Sequence, residues 1–309
     1  MKLYPDNSIE LMDMFPDEEA CLAYLEMIRW PYGYRCMRCE DKNTLKLGKG
    51  LYRCKLCRYE GSVIVGTLFQ DTHKPLRLWF QAIWYAVNQK NGVSALGLQK
   101  AIGLGSYNTA WQWLHKLRRA MVRPNRDKLD GIIEANETMI GGGSTGKRGR
   151  GAYGKTLVLI AAEITEWGIG RVRLAPISNA SSDILIPTIL QMCKIGSKIR
   201  TDGWNGYSDL TKHGYAHVSI KNDDVKNNDE IPSAHLIASL LKRWLSGTHQ
   251  GAFNHKNLPY YLDEFTFRFN RRTSSVRGKL FYRLIQQALE VDPVPVRLLL
   301  TNKVSSGLN

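Results

Sequence analysis

Gly131-Ile-Ile-Glu-Ala-Asn-Glu-Thr-Met-Ile140 is the stretch on which the fold turns. Its apolar and polar residues largely alternate, the period of a half-buried strand. Downstream, Thr156-Leu-Val-Leu-Ile-Ala-Ala162 is a continuous apolar run, as in a strand buried on both faces. Gly170-Arg-Val-Arg-Leu-Ala-Pro-Ile177 alternates again. The pattern then predicts a helix over 182–193, a short strand over 198–201 ending at Asp202, a short helix over 207–213 and a strand over 215–220. A polar loop follows at 222–230, with helices over 234–245 and 258–269. Three strands, helix, strand, helix, strand, helix is a mixed α/β domain, and no internal repeat is visible.

Upstream of it, Cys36-Met-Arg-Cys39 and Cys54-Lys-Leu-Cys57 form two Cys-x2-Cys pairs. Each pair sits on a tight turn that can aim two sulfurs at one ion, so Cys36, Cys39, Cys54 and Cys57 predict a structural zinc ribbon. Thiolates are soft ligands and suit Zn2+. Hairpin strands are expected near 50–54 and 61–65. Such a unit is too small to hold a core of its own and folds with its metal. Cys21 and Cys193 read as buried core thiols. A short helix over 17–29 precedes the ribbon.

Residues 75–123 read as three helices, with Pro75 at the first start, Ser94 as a cap for 94–102, and a third over 107–122. The second and third, joined by Gly103-Leu-Gly-Ser106, resemble a helix-turn-helix DNA reader with a basic end at Lys116, Arg118, Arg119 and Arg123. Lys147, Arg148 and Arg150 sit in the Gly-rich loop 141–154, which reads as a basic loop against a phosphate backbone. Net charge is +15, with −4 over residues 1–40 and +19 over the rest, an excess that points to a polyanion such as nucleic acid. There is no run of about 18 apolar residues and no basic-then-apolar leader, so a soluble, cytoplasmic protein without membrane contact is expected. Gly142-Gly-Ser-Thr-Gly146 matches a hydrolase pattern, but no helix follows the turn. Neither a Walker A loop nor a dinucleotide fingerprint is present.

The ribbon, the Trp-rich helical segment and the ribonuclease-H-like succession of elements together resemble a bacterial DDE-type insertion-sequence transposase, more narrowly the insertion-sequence family fifteen ninety-five. Four stretches carry the resemblance: Glu134-Ala-Asn-Glu-Thr-Met-Ile-Gly-Gly142, Thr201-Asp-Gly-Trp-Asn-Gly-Tyr207, Ser239-Leu-Leu-Lys-Arg-Trp-Leu-Ser-Gly-Thr-His249 and Tyr261-Leu-Asp-Glu-Phe-Thr-Phe-Arg-Phe-Asn-Arg-Arg272. It implies a multidomain α+β protein. The expected parts are an N-terminal helical segment (1–29), a zinc ribbon (30–70), a helical DNA-binding domain (71–128), a ribonuclease-H-like catalytic domain (129–250) and a C-terminal helical extension (251–309).

The resemblance also implies a site of two divalent ions, Mg2+ or Mn2+, for cutting 3′ ends and joining them to target DNA. Carried over position by position, the first acid falls on Asn136, where the family has Asp. The second is Asp202. The third falls on His235, and Lys242 lies seven residues on, on the same helix face. Arg271 and Arg272 fall in the fourth motif as DNA contacts. An amide at 136 brings no charge, so weak metal binding and little strand cleavage are expected. Glu134, on the same strand face, is a candidate to compensate, and Glu137 faces the other way. Expected partners are double-stranded transposon ends and target DNA, with a homodimer or larger assembly on DNA at the bacterial nucleoid. The alternative is a non-catalytic DNA-binding regulator derived from a transposase.

Overall fold

The structure, a computed structural model, describes residues 2–123, 125–141, 155–220, 231–250, 255–295 and 299. The chain divides into two units, Met1–Pro124 with Ser274–Thr301 and Asn125–Thr273 with Asn302–Asn309.

In the first unit, short polar side chains start the helices. Asn7 caps α1 (Ser8–Met14), and Asp17 caps α2 (Glu18–Arg29) by accepting the Ala20 N–H at 2.8 Å. An antiparallel sheet of β1 (Thr44–Gly48), β2 (Leu51–Cys54) and β3 (Glu60–Ser62) follows, β3 being shorter than the expected strand. Then come α3 (Leu76–Asn88), α4 (Ala95–Ile102) and α5 (Tyr107–Ala120). Ser94 accepts the Gly97 N–H at 3.0 Å, and Gly103, at φ +68°, ends α4 in the left-handed conformation. The helices meet through aromatic faces and edges. Trp79 stacks on Trp113 at 3.8 Å, while Phe15 meets Tyr24 at 4.8 Å and Phe80 at 4.7 Å, edge to face.

The second unit is a five-stranded sheet of β4 (Ile132–Ile140), β5 (Thr156–Thr165), β6 (Gly168–Ile177), β7 (Lys198–Asp202) and β8 (Ala216–Ile220). Its order is β6-β5-β4-β7-β8, antiparallel through β6-β5-β4 and parallel through β4-β7-β8. This is the expected ribonuclease-H-like domain. The period of two sorts the strand residues onto two faces. Ile133, Ala135, Leu159 and Ala161 pack with α6 (Ser182–Met192) and the 3-10 helix Asn205–His213. Val158, Ile160 and Ala162 pack with α7 (Pro232–Thr248) and α8 (Leu258–Asn270) on the other face.

The open edge of β6 is closed by the end of α8. Asn270 Oδ1 accepts the Val172 N–H at 2.7 Å, and its Nδ2 donates to the Val172 carbonyl at 3.1 Å, as a neighbouring strand would. Arg272 adds a bond to the Gly170 carbonyl at 3.3 Å and another to that of Ile169. The segment expected as one C-terminal extension, 251–309, is divided: α8 packs on β6, whereas α9 (Arg277–Glu290) packs on α3 in the first unit. Among the described residues no helix is long and apolar enough to cross a membrane.

Candidate functional site

Two Cys-x2-Cys turns build the first centre, and they are near copies of each other. In each, the first cysteine's carbonyl accepts an N–H from four residues on, Glu40 at 2.9 Å and Arg58 at 3.1 Å. Those two residues adopt left-handed φ of 61° and 60°. The cysteine N–H then donates to the following carbonyl, Asp41 at 3.0 Å or Tyr59 at 2.9 Å. The repeated geometry brings the four sulfurs together: Cys36 to Cys57 at 3.5 Å, Cys39 to Cys54 at 3.6 Å and Cys39 to Cys57 at 3.4 Å, with all pairs within 4.8 Å. Tetrahedral zinc with bonds of about 2.3 Å needs sulfurs about 3.8 Å apart, so the donor set fits that ion. Burial opposes ionisation of Cys36, but the Arg38 and Cys39 N–H groups together with the Cys57 and Cys39 thiols outweigh it and bring the thiol to about 7. Cys21 and Cys193 are fully buried, and burial pushes each thiol up to about 12.

The second centre lies on the sheet face covered by α7. β4 and β7 run parallel in the register Glu134↔Arg200. Asn136 and Asp202 each lie two residues further along their strands, on the same sheet face as Glu134 and Arg200. The Asn136 amide oxygen accepts the Glu137 N–H at 2.8 Å, and an Asp202 oxygen accepts the Trp204 N–H at 3.1 Å. Glu134 is 1% exposed. One of its carboxylate oxygens accepts the Ser233 and Ala234 N–H groups at 2.7 and 3.1 Å, and the other lies 3.5 Å from an Arg200 nitrogen. Residue 231, the N-cap of α7, makes no side-chain bond of its own, so a strand carboxylate supplies the cap from outside. His235 follows Ala234 directly. Its side chain and that of Lys242 are exposed on one flank of α7, beside the buried stripe Ala234, Ile237, Ala238, Leu241 and Leu245.

The rest of the Thr201–Tyr207 motif fastens the segment after Asp202. Trp204 Nε1 donates to the Ala180 carbonyl at 2.7 Å, and the fully buried Tyr207 donates its hydroxyl to Glu137 at 2.6 Å. A side chain at Gly206 would meet the Ala180 carbonyl oxygen at 2.6 Å, which restricts that position to glycine. Glu137 therefore serves the opposite face from Asn136. Glu134 is a helix anchor, not a spare ligand. The sequence gives no local sign of that role, because the bonded N–H groups lie 99 and 100 residues away.

The candidate DNA contacts separate. Arg118 is 2% exposed and donates to the Val93 carbonyl at 3.4 Å, so it belongs to the interior of the helical unit and is corrected as a surface contact. Its spacing of four from the buried Leu114 is the signal that places it there. Lys116 and Arg119 are half-buried on the other side of α5. Arg271 stacks over Phe267 at 4.3 Å, and Arg272 over Phe269 at 4.0 Å. Arg272 thus fastens the sheet edge as well as carrying charge. Lys147, Arg148 and Arg150 lie outside the described residues.

Comparison with known proteins agrees with this arrangement. Residues 128–270 match the ISXO2-like transposase domain, and residues 16–60 match the transposase zinc-ribbon domain. The chain is also 24% identical over 267 residues to a Halobacterium salinarum protein described as an uncharacterized protein in transposable element ISH50, an alignment covering 80% of this chain and 89% of that one.

Proposed function

We propose that the chain is a transposase of the kind whose zinc-ribbon and ISXO2-like domains it matches, and that it binds the ends of its own insertion sequence through the zinc ribbon and the helical unit. Its ribonuclease-H-like domain then holds the DNA where strand cleavage and joining occur. In this reading Asn136, Asp202 and His235 occupy the three positions of the ion site. Lys242, on the His235 flank of α7, meets a DNA phosphate. Two ends are brought together by at least two copies of the chain.

The observation that carries this reading is the place of Asn136 and Asp202, each two residues beyond the paired Glu134 and Arg200 on adjacent parallel strands, on the sheet face of the helix that Glu134 anchors. That arrangement supplies too little charge for two divalent ions. Asp202 contributes one negative charge, Asn136 none, and Glu134 is already bonded to Arg200 and to the start of α7. Hard ions such as Mg2+ are bound through carboxylates, and an amide is a weak substitute. The chain as given is therefore expected to bind DNA ends without efficient cutting. Asn136 is also what favours the second reading, a DNA-binding regulator that has lost catalysis.

Asn136→Asp separates the two. On duplexes carrying the two ends of the element, the transposase reading expects at least a 100-fold rise in Mn2+- or Mg2+-dependent 3′ cleavage with metal-free DNA affinity unchanged. Asp202→Asn added to it should abolish the gain. An Asn136→Asp protein that binds ends tightly and stays inactive would support the regulator. Full activity of the chain as given would remove Asn136 from the catalytic position.

A further inference from the structure

Charge is concentrated in one part of the helical unit. Residues 72–126 contain nine Lys and Arg and no Asp or Glu. α5 runs through this stretch. Seven of its residues, including His115, Leu117 and Arg118, are buried. At about 100° per residue, Asn108, Arg119, Gln112 and Lys116 fall in a stripe within an arc of about 80°, away from Ala110, Leu114, Leu117 and Arg118 and bordered by the buried His115. Asn108 is exposed and the other three are half-buried. The stripe has an order: two primary amides toward the helix start, then two cations toward its end. α4 packs against α5 across the turn that begins at the left-handed Gly103.

We propose that this stripe is the base-reading surface for DNA, with Asn108 and Gln112 contacting adenine edges in the major groove and Lys116 and Arg119 contacting the flanking phosphates. The proposal rests on the reading that this chain binds DNA, and it names which residues choose the sequence. A primary amide presents one acceptor and two donors, which match the N6 amine and N7 of adenine as a bidentate pair. A helix enters the major groove with its N-terminal half toward the bases, which is where the amides stand. An acidic protein partner would satisfy the cations but would leave two adjacent amides without a matching ligand. The stretch without any acid favours a polyanion with regular charge spacing.

The test is selection by the full chain from a pool of duplexes with a randomised core. The wild type is expected to enrich a motif with defined A·T positions. Asn108→Ala and Gln112→Ala should each lose about 5- to 150-fold preference at one of these positions and keep the others. Asn108→Asp should move the preference at its position toward cytosine, whose N4 amine a carboxylate accepts. Because that variant gains a new preference, its result is independent of any loss of stability. Lys116→Ala with Arg119→Ala should keep the motif, weaken all sequences alike and reduce the salt slope by about 2. An enriched motif unchanged by Asn108→Ala, Gln112→Ala and Asn108→Asp would overturn the proposal while leaving DNA binding intact. A wild-type chain that retains no duplex from the pool would overturn the DNA-binding reading itself.

Discussion

Glu134 is buried, and its three partners account for its place there. Two are the N–H groups at the start of α7, where the helix dipole favours an anion, and the third is Arg200. Glu18, an exposed residue, also caps a helix from outside it: its carboxylate accepts the Leu76 N–H at 2.8 and 3.0 Å at the start of α3, whose own N-cap, Pro75, makes no side-chain bond. Glu134→Ala should cost roughly 2–4 kcal/mol, because it leaves buried N–H groups and a guanidinium without their acceptor. Glu134→Gln, which keeps one acceptor oxygen, should cost about half as much. Urea unfolding reads the loss, and amide exchange at Ser233 and Ala234 should speed up in the Ala variant first. The cluster of four cysteines was legible in the sequence because its chemistry lies in local spacing. Glu134 was not, since a cap supplied by a distant strand leaves no mark on either segment alone. Arg118 was misread for a different reason: a run of Lys and Arg looks like a basic end until the helix period is applied to it.

At the scale of elements, local signals were the dependable ones. Ser94 and Gly103 bound α4 where the cap and turn residues placed it. The strands of the second sheet follow their alternation to within a residue or two at most ends, and β5 runs three residues past the apolar segment. α1 was missed because it is only seven residues long. The course of α9 was missed because which unit a helix joins is decided by packing partners far away in sequence. The edge of β6 is another long-range solution. Unpaired edge groups invite pairing with a second chain, and here Asn270 and Arg272 occupy them. Asn270→Ala should lower stability by about 1–3 kcal/mol, seen in thermal unfolding, and should raise concentration-dependent aggregation. Asn270→Asp keeps the bond from the Val172 N–H but sets a carboxylate against the Val172 carbonyl, so it should lose the second bond only and fall between the two.

For the whole molecule, charge and connectivity matter most. With −4 over residues 1–40, and nine Lys and Arg but no Asp or Glu over 72–126, charge is uneven along the chain. Affinity for duplex DNA should therefore fall steeply with salt. With about 6–10 phosphate contacts the loss is about 10³–10⁵ between roughly 50 and 200 mM, read from binding isotherms at several salt concentrations. A flat dependence would count against the DNA reading as a whole.

The first unit is also discontinuous in the chain. Phe281 on α9 completes the aromatic cluster of Phe15, Tyr24 and Phe80, Leu68 donates its N–H to the Ala288 carbonyl at 2.9 Å, and Gly278 lies against the Pro5 carbonyl. On the ribosome, residues 2–123 thus emerge without the helix that closes their core, and wait while residues 125–273 are made, roughly 7–30 s at about 5–20 residues per second. A message cut short before α9 is therefore expected to yield a chain whose first unit has an open aromatic core and no means of closing it.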